Sequence, residues 1–237
     1  MLIDVVTIFP DMFRAVLGQS IVKRAQERRL VEIRLTDLRE SAVDRHRTVD
    51  DRPFGGGPGM ILKVEPVVKA VRALEADGPA AVRVLLSPQG ERFTQDIAEE
   101  LSLRERLLFI AGHYEGYDER IRTMLAPREL SAGDYVLTGG ELPCMVVIDA
   151  VVRLLPGALG AEDAHDFESF GEGPSDVPGA RLLEYPQYTR PMEFEGHVVP
   201  AVLRSGDHER VAQWRRAQAI KRTRERRPDL LEGRARE

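Results

Sequence analysis

"RLLFIAGHYEGYDERIRTML" (106–125) is an apolar run, a glycine-bearing turn and a charged, helix-spaced segment. The run closing on Gly112 is short and reads as a buried strand. "DERIRTML" reads as a helix. A strand handed through glycines to a helix is the repeating piece of a mainly parallel α/β sheet.

The same order recurs on both sides. "LIDVVTIF" is a β-branched strand stopped by Pro10, and "DMFRAVLGQSIVKRAQERRL" has helical spacing with Asp11 as its expected N-cap. "VEIRLTDL" alternates as a strand. Residues 41–60 form a long glycine-rich loop, whose "FGGGPGM" (54–60) is either a phosphate-cradling nest or a flexible connection. "VEPVVKAVRALEA" is a helix with Pro66 in its first turn. "VRVLLS" is a strand, "TQDIAEELSL" a helix capped by Thr94, and "RELSAGDYVL" holds a short strand. In "LTGGELPCMVVIDAVVRLLPG" (137–157) the helix expected from Glu141 to Leu154 is apolar almost throughout, and Arg153 is its only charge after Asp149.

Residues 1–160 therefore read as an α/β domain. Residues 161–180 are acidic and rich in Gly and Pro, which marks a linker or exposed loop. Residues 181–237 form a smaller domain whose helical tail starts near Asp207. The net charge is −5, but the charges are segregated. Residues 161–195 hold nine acids and two arginines, whereas 209–227 hold eight Arg or Lys and two acids. A basic segment on an acidic chain fits local phosphate contact. No window reaches the roughly 18 apolar residues of a membrane span. The start lacks a basic leader, and a single cysteine, Cys144, excludes an internal disulfide, so a cytoplasmic location is expected. Five scattered histidines show no metal-ligand spacing, and no metal site is expected.

Three glycine turns fall at strand carboxyl ends: "LSPQGERF" (86–93), "AGHYEGYDER" (111–120) and "SAGDYVLTGGELP" (131–143). Ligands of open α/β sheets bind at that edge. Neither a P-loop nor a G-x-G-x-x-G fingerprint is present, and turns with few charges suit a flat neutral group such as an adenine ring. Arg153 has a structural reading, capping carbonyls and pairing with Asp149, beside a catalytic one. The acids Asp163, Asp166 and Glu168 form the next cluster.

Together "DDRPFGGGPGM", "LSPQG", "GHYEGYDER", "SAGDYVLTGGELP", "VRLLPGALG" and "YPQYTRP" resemble the bacterial tRNA (guanine-N1-)-methyltransferases that modify guanosine 37, from Met1 to about Leu231. The resemblance implies a SPOUT-type, trefoil-knotted, parallel-sheet domain that binds S-adenosylmethionine, over residues 1–160. It implies a small helical tRNA-binding domain over 181–237. It also implies a homodimer with each active site at the subunit interface, and magnesium as a helper. Matching positions give the cofactor Leu85, Leu86, Ser87 and Gly90 from the first turn and Gly112, Tyr114 and Glu115 from the second. The third supplies Ser131, Ala132, Gly133, Asp134, Tyr135, Val136, Leu137, Gly139, Gly140 and Pro143. Arg153 would stabilise charge on the guanine O6. The family's base is an aspartate in Asp-Ser-Phe; here "DFESF" puts Glu168 at that position, with Asp166 the alternative, and an added stretch, "GEGPSDVPGA", follows. The family often has arginine where His113 stands. Two other readings are a tRNA-binding module without catalysis and a SPOUT enzyme acting on ribosomal RNA or a ribose hydroxyl. Intact cofactor turns disfavour the first. A ribose enzyme activates a 2′-hydroxyl and has no need of an arginine–carboxylate pair.

Overall fold

The structure, a computed structural model, describes residues 1–160, 168–171 and 180–232. The chain divides into two compact units, Met1–Gly160 and Ala161–Glu237. The first unit runs β1 (Leu2–Thr7), α1 (Pro10–Leu17), α2 (Ser20–Glu27), β2 (Glu32–Asp37), β3 (Asp50–Asp51), β4 (Ile61–Leu62), α3 (Val64–Glu75) and β5 (Val82–Arg92). It continues through α4 (Gln95–Ser102), β6 (Arg106–Ile110), α5 (Arg120–Leu125), β7 (Arg128–Ser131) and α6 (Glu141–Val152). The second contains a β8–β9 hairpin (Glu193–Phe194, His197–Val198) and the long α7 (His208–Arg226).

Five strands form one parallel sheet in the order β2-β1-β6-β5-β7. Strands buried on both faces favour near-continuous apolar residues, which is why β6 runs unbroken from Leu107 to Ile110 after Arg106. Alternate residues feed two cores. Ile3, Val5, Leu107, Phe109, Val84 and Leu86 pack with α1, α2, α4 and α6. Val6, Leu108, Ile110 and Leu85 pack with α3 and α5 on the other face.

Four local readings are corrected. The helix expected across 11–30 is two helices, because the Gly18 N–H closes α1 onto the Arg14 carbonyl (3.1 Å) and the chain turns at Gln19 before α2. Asp11 does not cap it; Phe9 occupies the N-cap position and Pro10 starts the helix, where its missing N–H costs nothing. The strand from Val82 does not end at Ser87. The ladder with β7 breaks after Leu86 and resumes at Glu91–Arg92, so "SPQG" is a bulge within β5. α6 stops at Val152 and leaves Arg153 as its C-cap residue.

One buried ion group escaped the sequence. The Arg106 side chain is wholly inaccessible, and it donates to Asp4 (2.9 Å) and to the carbonyls of Leu74, Asp77 and Pro79. Asp4 also accepts from Arg34 (2.7 Å). Burying an arginine is tolerated only with such saturation of its donors.

Candidate functional site

The carboxyl ends of β5, β6 and β7 enclose a cavity of about 170 Å³. Its walls come from the three expected turns and the first turn of α6. Of the residues named above for the cofactor, all but Leu85, Gly90 and Asp134 line it. Leu85 faces the opposite core and is fully buried. Gly90 serves the bulge: a Cβ there would lie 2.5 Å from the Glu129 carbonyl carbon, so glycine lets β5 and β7 approach. The Asp134 carboxylate is exposed and pairs loosely with Arg92 (3.6 Å). Pro88, His113, Gly116, Tyr117 and Leu130 also line the cavity, and sequence reasoning did not assign them there.

Two glycines make the walls meet. The Gly140 N–H donates to the Gly112 carbonyl at 2.6 Å. A Cβ on Gly140 would stand 3.0 Å from the Gly112 nitrogen and 3.2 Å from both the Ala111 Cα and the Leu86 Cβ. Here the segment entering α6 crosses directly over the end of β6. A Cβ on Gly112 would overlap the Tyr117 ring at 2.2–2.4 Å.

Tyr117 ties the turns together. Its hydroxyl accepts from the Gly112 N–H (2.6 Å) and lies within donating distance of the Ile110 (3.1 Å) and Leu86 (3.2 Å) carbonyls. Burial pushes its ionisation well up, so the hydroxyl keeps its proton and serves as a donor. On the third turn the Ser131 hydroxyl donates to the Gly133 carbonyl (3.0 Å) and accepts from the Gly133 N–H (3.2 Å). Tyr135, Val136 and Leu137 stand exposed at the rim.

The outer wall is braced by the end of the 41–60 loop. The Glu115 N–H donates to Met60 O (3.0 Å) and the Leu62 N–H to Gly116 O (2.9 Å). Gly59 must be small there, because a Cβ would run into the Glu115 side chain. Behind the cavity sits Glu141, 1% exposed, at the start of α6. It accepts from the Thr7 hydroxyl (3.1 Å) and faces His113 Nδ1 (3.3 Å). A helix N-terminus is a favourable place for a buried carboxylate. The acid opening the apolar helix was visible in the sequence, but its partners were not.

The lining contains no Lys or Arg, and Glu115 is its one carboxylate among the described residues. Such a cavity does not suit a phosphate. It suits a flat neutral group held by backbone amides and, beside Glu115, a cation.

Arg153 caps α6, its N–H donating to Asp149 O (3.2 Å). Glu168 belongs to the second unit, where its carbonyl accepts from the Gly171 N–H (3.1 Å). Asp163, Asp166 and most of the expected linker lie outside the described residues. The basic tail is α7, begun by Asp207, whose carboxylate accepts from the Arg210 N–H (3.1 Å). No group of three or more His, Cys, Asp or Glu is placed to hold a metal ion among the described residues. None of their helices is long and apolar enough to cross a membrane.

Residues 1–233 match the family described as tRNA (Guanine-1)-methyltransferase TrmD. Relatives of similar length carry the name tRNA (guanine-N(1)-)-methyltransferase. The protein of Geobacillus kaustophilus is 55% identical over 98% of this chain and 92% of its own. That of Moorella thermoacetica is 56% identical over 98% and 90%. That of Bacillus subtilis is 53% identical over 98% and 92%.

Proposed function

The chain belongs to the tRNA (guanine-1)-methyltransferase family, and from that premise we propose that it transfers a methyl group from S-adenosylmethionine to N1 of guanosine 37 in tRNA. The observation carrying the donor is the cavity itself: three glycine-bearing turns whose lining is free of Lys and Arg, with Glu115 as the one acid. Adenine edges are read by backbone amides without charge. The sulfonium is a cation, and Glu115 is the group of matching sign. The close crossing of Gly140 over Gly112 is where the trefoil knot of this reading would lie.

Neutral guanine holds a proton on N1. The base takes that proton, N1 attacks the methyl carbon, and the carbon–sulfur bond breaks to leave a neutral thioether. No covalent enzyme intermediate is required, and Cys144, buried with its thiol ionisation pushed well up by desolvation, has no part in it. Glu168 is the proposed base, with Asp166 its competitor. Arg153 holds O6, where charge builds as N1 loses its proton. A placed base is worth about 10²–10⁴-fold in rate. Magnesium is a helper in this reading, and methyl transfer with and without chelator tests it.

The active form is a homodimer with the site at the subunit interface. α6 supports this: Leu142 and Val146, one turn apart, are 49% and 55% exposed, and Asp149 is exposed one turn further on. Ala161–Glu237 supplies tRNA contacts through its basic helix, and the enzyme works in the cytoplasm. The test is incubation with methyl-labelled S-adenosylmethionine and unmodified tRNA, followed by mapping of the product nucleoside. Label on N1 of guanosine 37 is expected; label on a ribose, or none, refutes the reading.

A further inference from the structure

A groove of about 780 Å³ lies within the second unit. One side is the extended segment carrying Tyr185, Tyr188 and Arg190. The other is Arg204, from the 3-10 turn Ala201–Arg204, with Val211 and Arg215 from the first turns of α7. Nothing in the reaction chemistry uses it.

Its composition is selective. Arg190, Arg204 and Arg215 gather here, and none of the three forms an ion pair with a carboxylate among the described residues. Arginines elsewhere in this unit do find acids, as Arg227 does in Asp229 (2.6 Å). The Arg215 guanidinium lies over the Tyr185 ring, 4.8 Å from its centroid. Tyr188 is half exposed, its ring centroid 6.4 Å from that of Trp214. Like charges held together without a counter-charge repel one another, and an arriving anion relieves that repulsion. Exposed aromatic faces interleaved with guanidinium groups are the surface that unstacked bases bind, since every base has a π-face and its backbone carries the anion.

We propose that this groove binds one unstacked nucleotide of the tRNA substrate, the base stacked on Tyr188 and the phosphate held by Arg190 and Arg204. The proposal rests on tRNA being the substrate. It assigns part of the RNA affinity to the groove rather than to the later turns of α7, where Lys221 pairs with Glu225 (3.9 Å) and Arg222 donates to the Glu184 carbonyl (3.2 Å).

The experiment uses the full chain saturated with S-adenosylhomocysteine. Binding of unmodified tRNA, and separately of a single-stranded RNA hexamer and a duplex of equal length, is measured across a salt series. Tyr188→Ala should weaken tRNA and hexamer binding by about 5- to 150-fold, the loss of one base–aromatic stack. Tyr188→Phe should restore it. Arg190→Gln with Arg204→Gln should lower the slope of log K against log salt by about 0.7, one phosphate of an unpaired strand. S-adenosylhomocysteine affinity and melting temperature should stay at wild-type values in all three. Wild-type tRNA and hexamer affinity in Tyr188→Ala, or an unchanged salt slope in the double variant, overturns the proposal. So does a duplex bound as tightly as the hexamer. The hexamer separates this failure from that of the functional reading: a wild-type protein that methylates no tRNA refutes the latter, whereas the variants' hexamer affinities test the groove regardless.

Discussion

Gly140→Ala probes the point on which the candidate site depends. The glycine has an ordinary φ of −82°, so alanine meets no backbone penalty there and the effect is one of space. The new Cβ would stand 3.0 Å from the Gly112 nitrogen and 3.2 Å from the Ala111 Cα, both backbone atoms at the end of a fully buried strand. Neither can swing aside as a side chain would. The Gly140 N–H bond to Gly112 O, at 2.6 Å, pulls the two segments together against the intruding carbon. Overpacking of this kind costs about 1–3 kcal/mol. If the walls part to relieve it, the turns that line the cavity shift apart, and the same energy lost from binding raises Kd about 5- to 150-fold. If they do not part, the strain shows as a melting temperature lower by about 2–4 °C per kcal/mol. Calorimetric titration with S-adenosylhomocysteine and a thermal melt read the two outcomes. The control is Gly160→Ala, where a Cβ would meet nothing within 4 Å. Gly140→Ala matching that control in both measurements would falsify the account of the crossing.

The other expectations are quicker to state. Glu168→Gln, which keeps shape and loses proton acceptance, should slow single-turnover methyl transfer by about 10²-fold or more. Asp166→Asn should cost much less; the reverse order gives the role to Asp166, and small losses in both place the base elsewhere. Val146→Asp with Leu142→Asp puts charge on the exposed apolar face of α6 and should yield a 26.6 kDa species by sedimentation, with activity lost. A dimer of wild-type activity removes the interface from that face. Tyr117→Phe strips the acceptor from the Gly112 N–H, and an orphaned buried donor costs about 1–3 kcal/mol, so stability and cofactor affinity should both fall. An unchanged melt means that the amide has another partner.

Much of the fold was written locally. β6 announces itself because, after Arg106, the strand is buried on both faces and Leu107–Ile110 run apolar without a break. α3 and α6 carry apolar repeats long enough to be read as helices, with only the last turn of α6 misjudged. Legibility failed where a single residue interrupts a good pattern: Gly18 ended one helix inside an amphipathic run, and the chain past Leu86 bulged where a strand end was expected. The three turns were legible as turns because glycines mark backbone that must go where a Cβ cannot. What each glycine is for was not. Gly140 makes room for the end of β6, Gly112 for the Tyr117 ring, and Gly90 for a neighbouring strand, and nothing in a linear sequence separates these.

By itself, then, the sequence determined the strand–helix alternation, the parallel sheet and the identity of the turns, since these follow from side-chain periodicity and φ preferences acting over a few residues. The tertiary structure decided what distant residues do to one another. It placed Glu141 against Thr7 and His113, saturated Arg106 with Asp4 and three carbonyls, and aimed Leu85 away from the cavity that Leu86 lines. Those partners stand up to 134 positions apart, and the energy of a buried charge or hydrogen bond depends on what meets it in space, which no local pattern encodes.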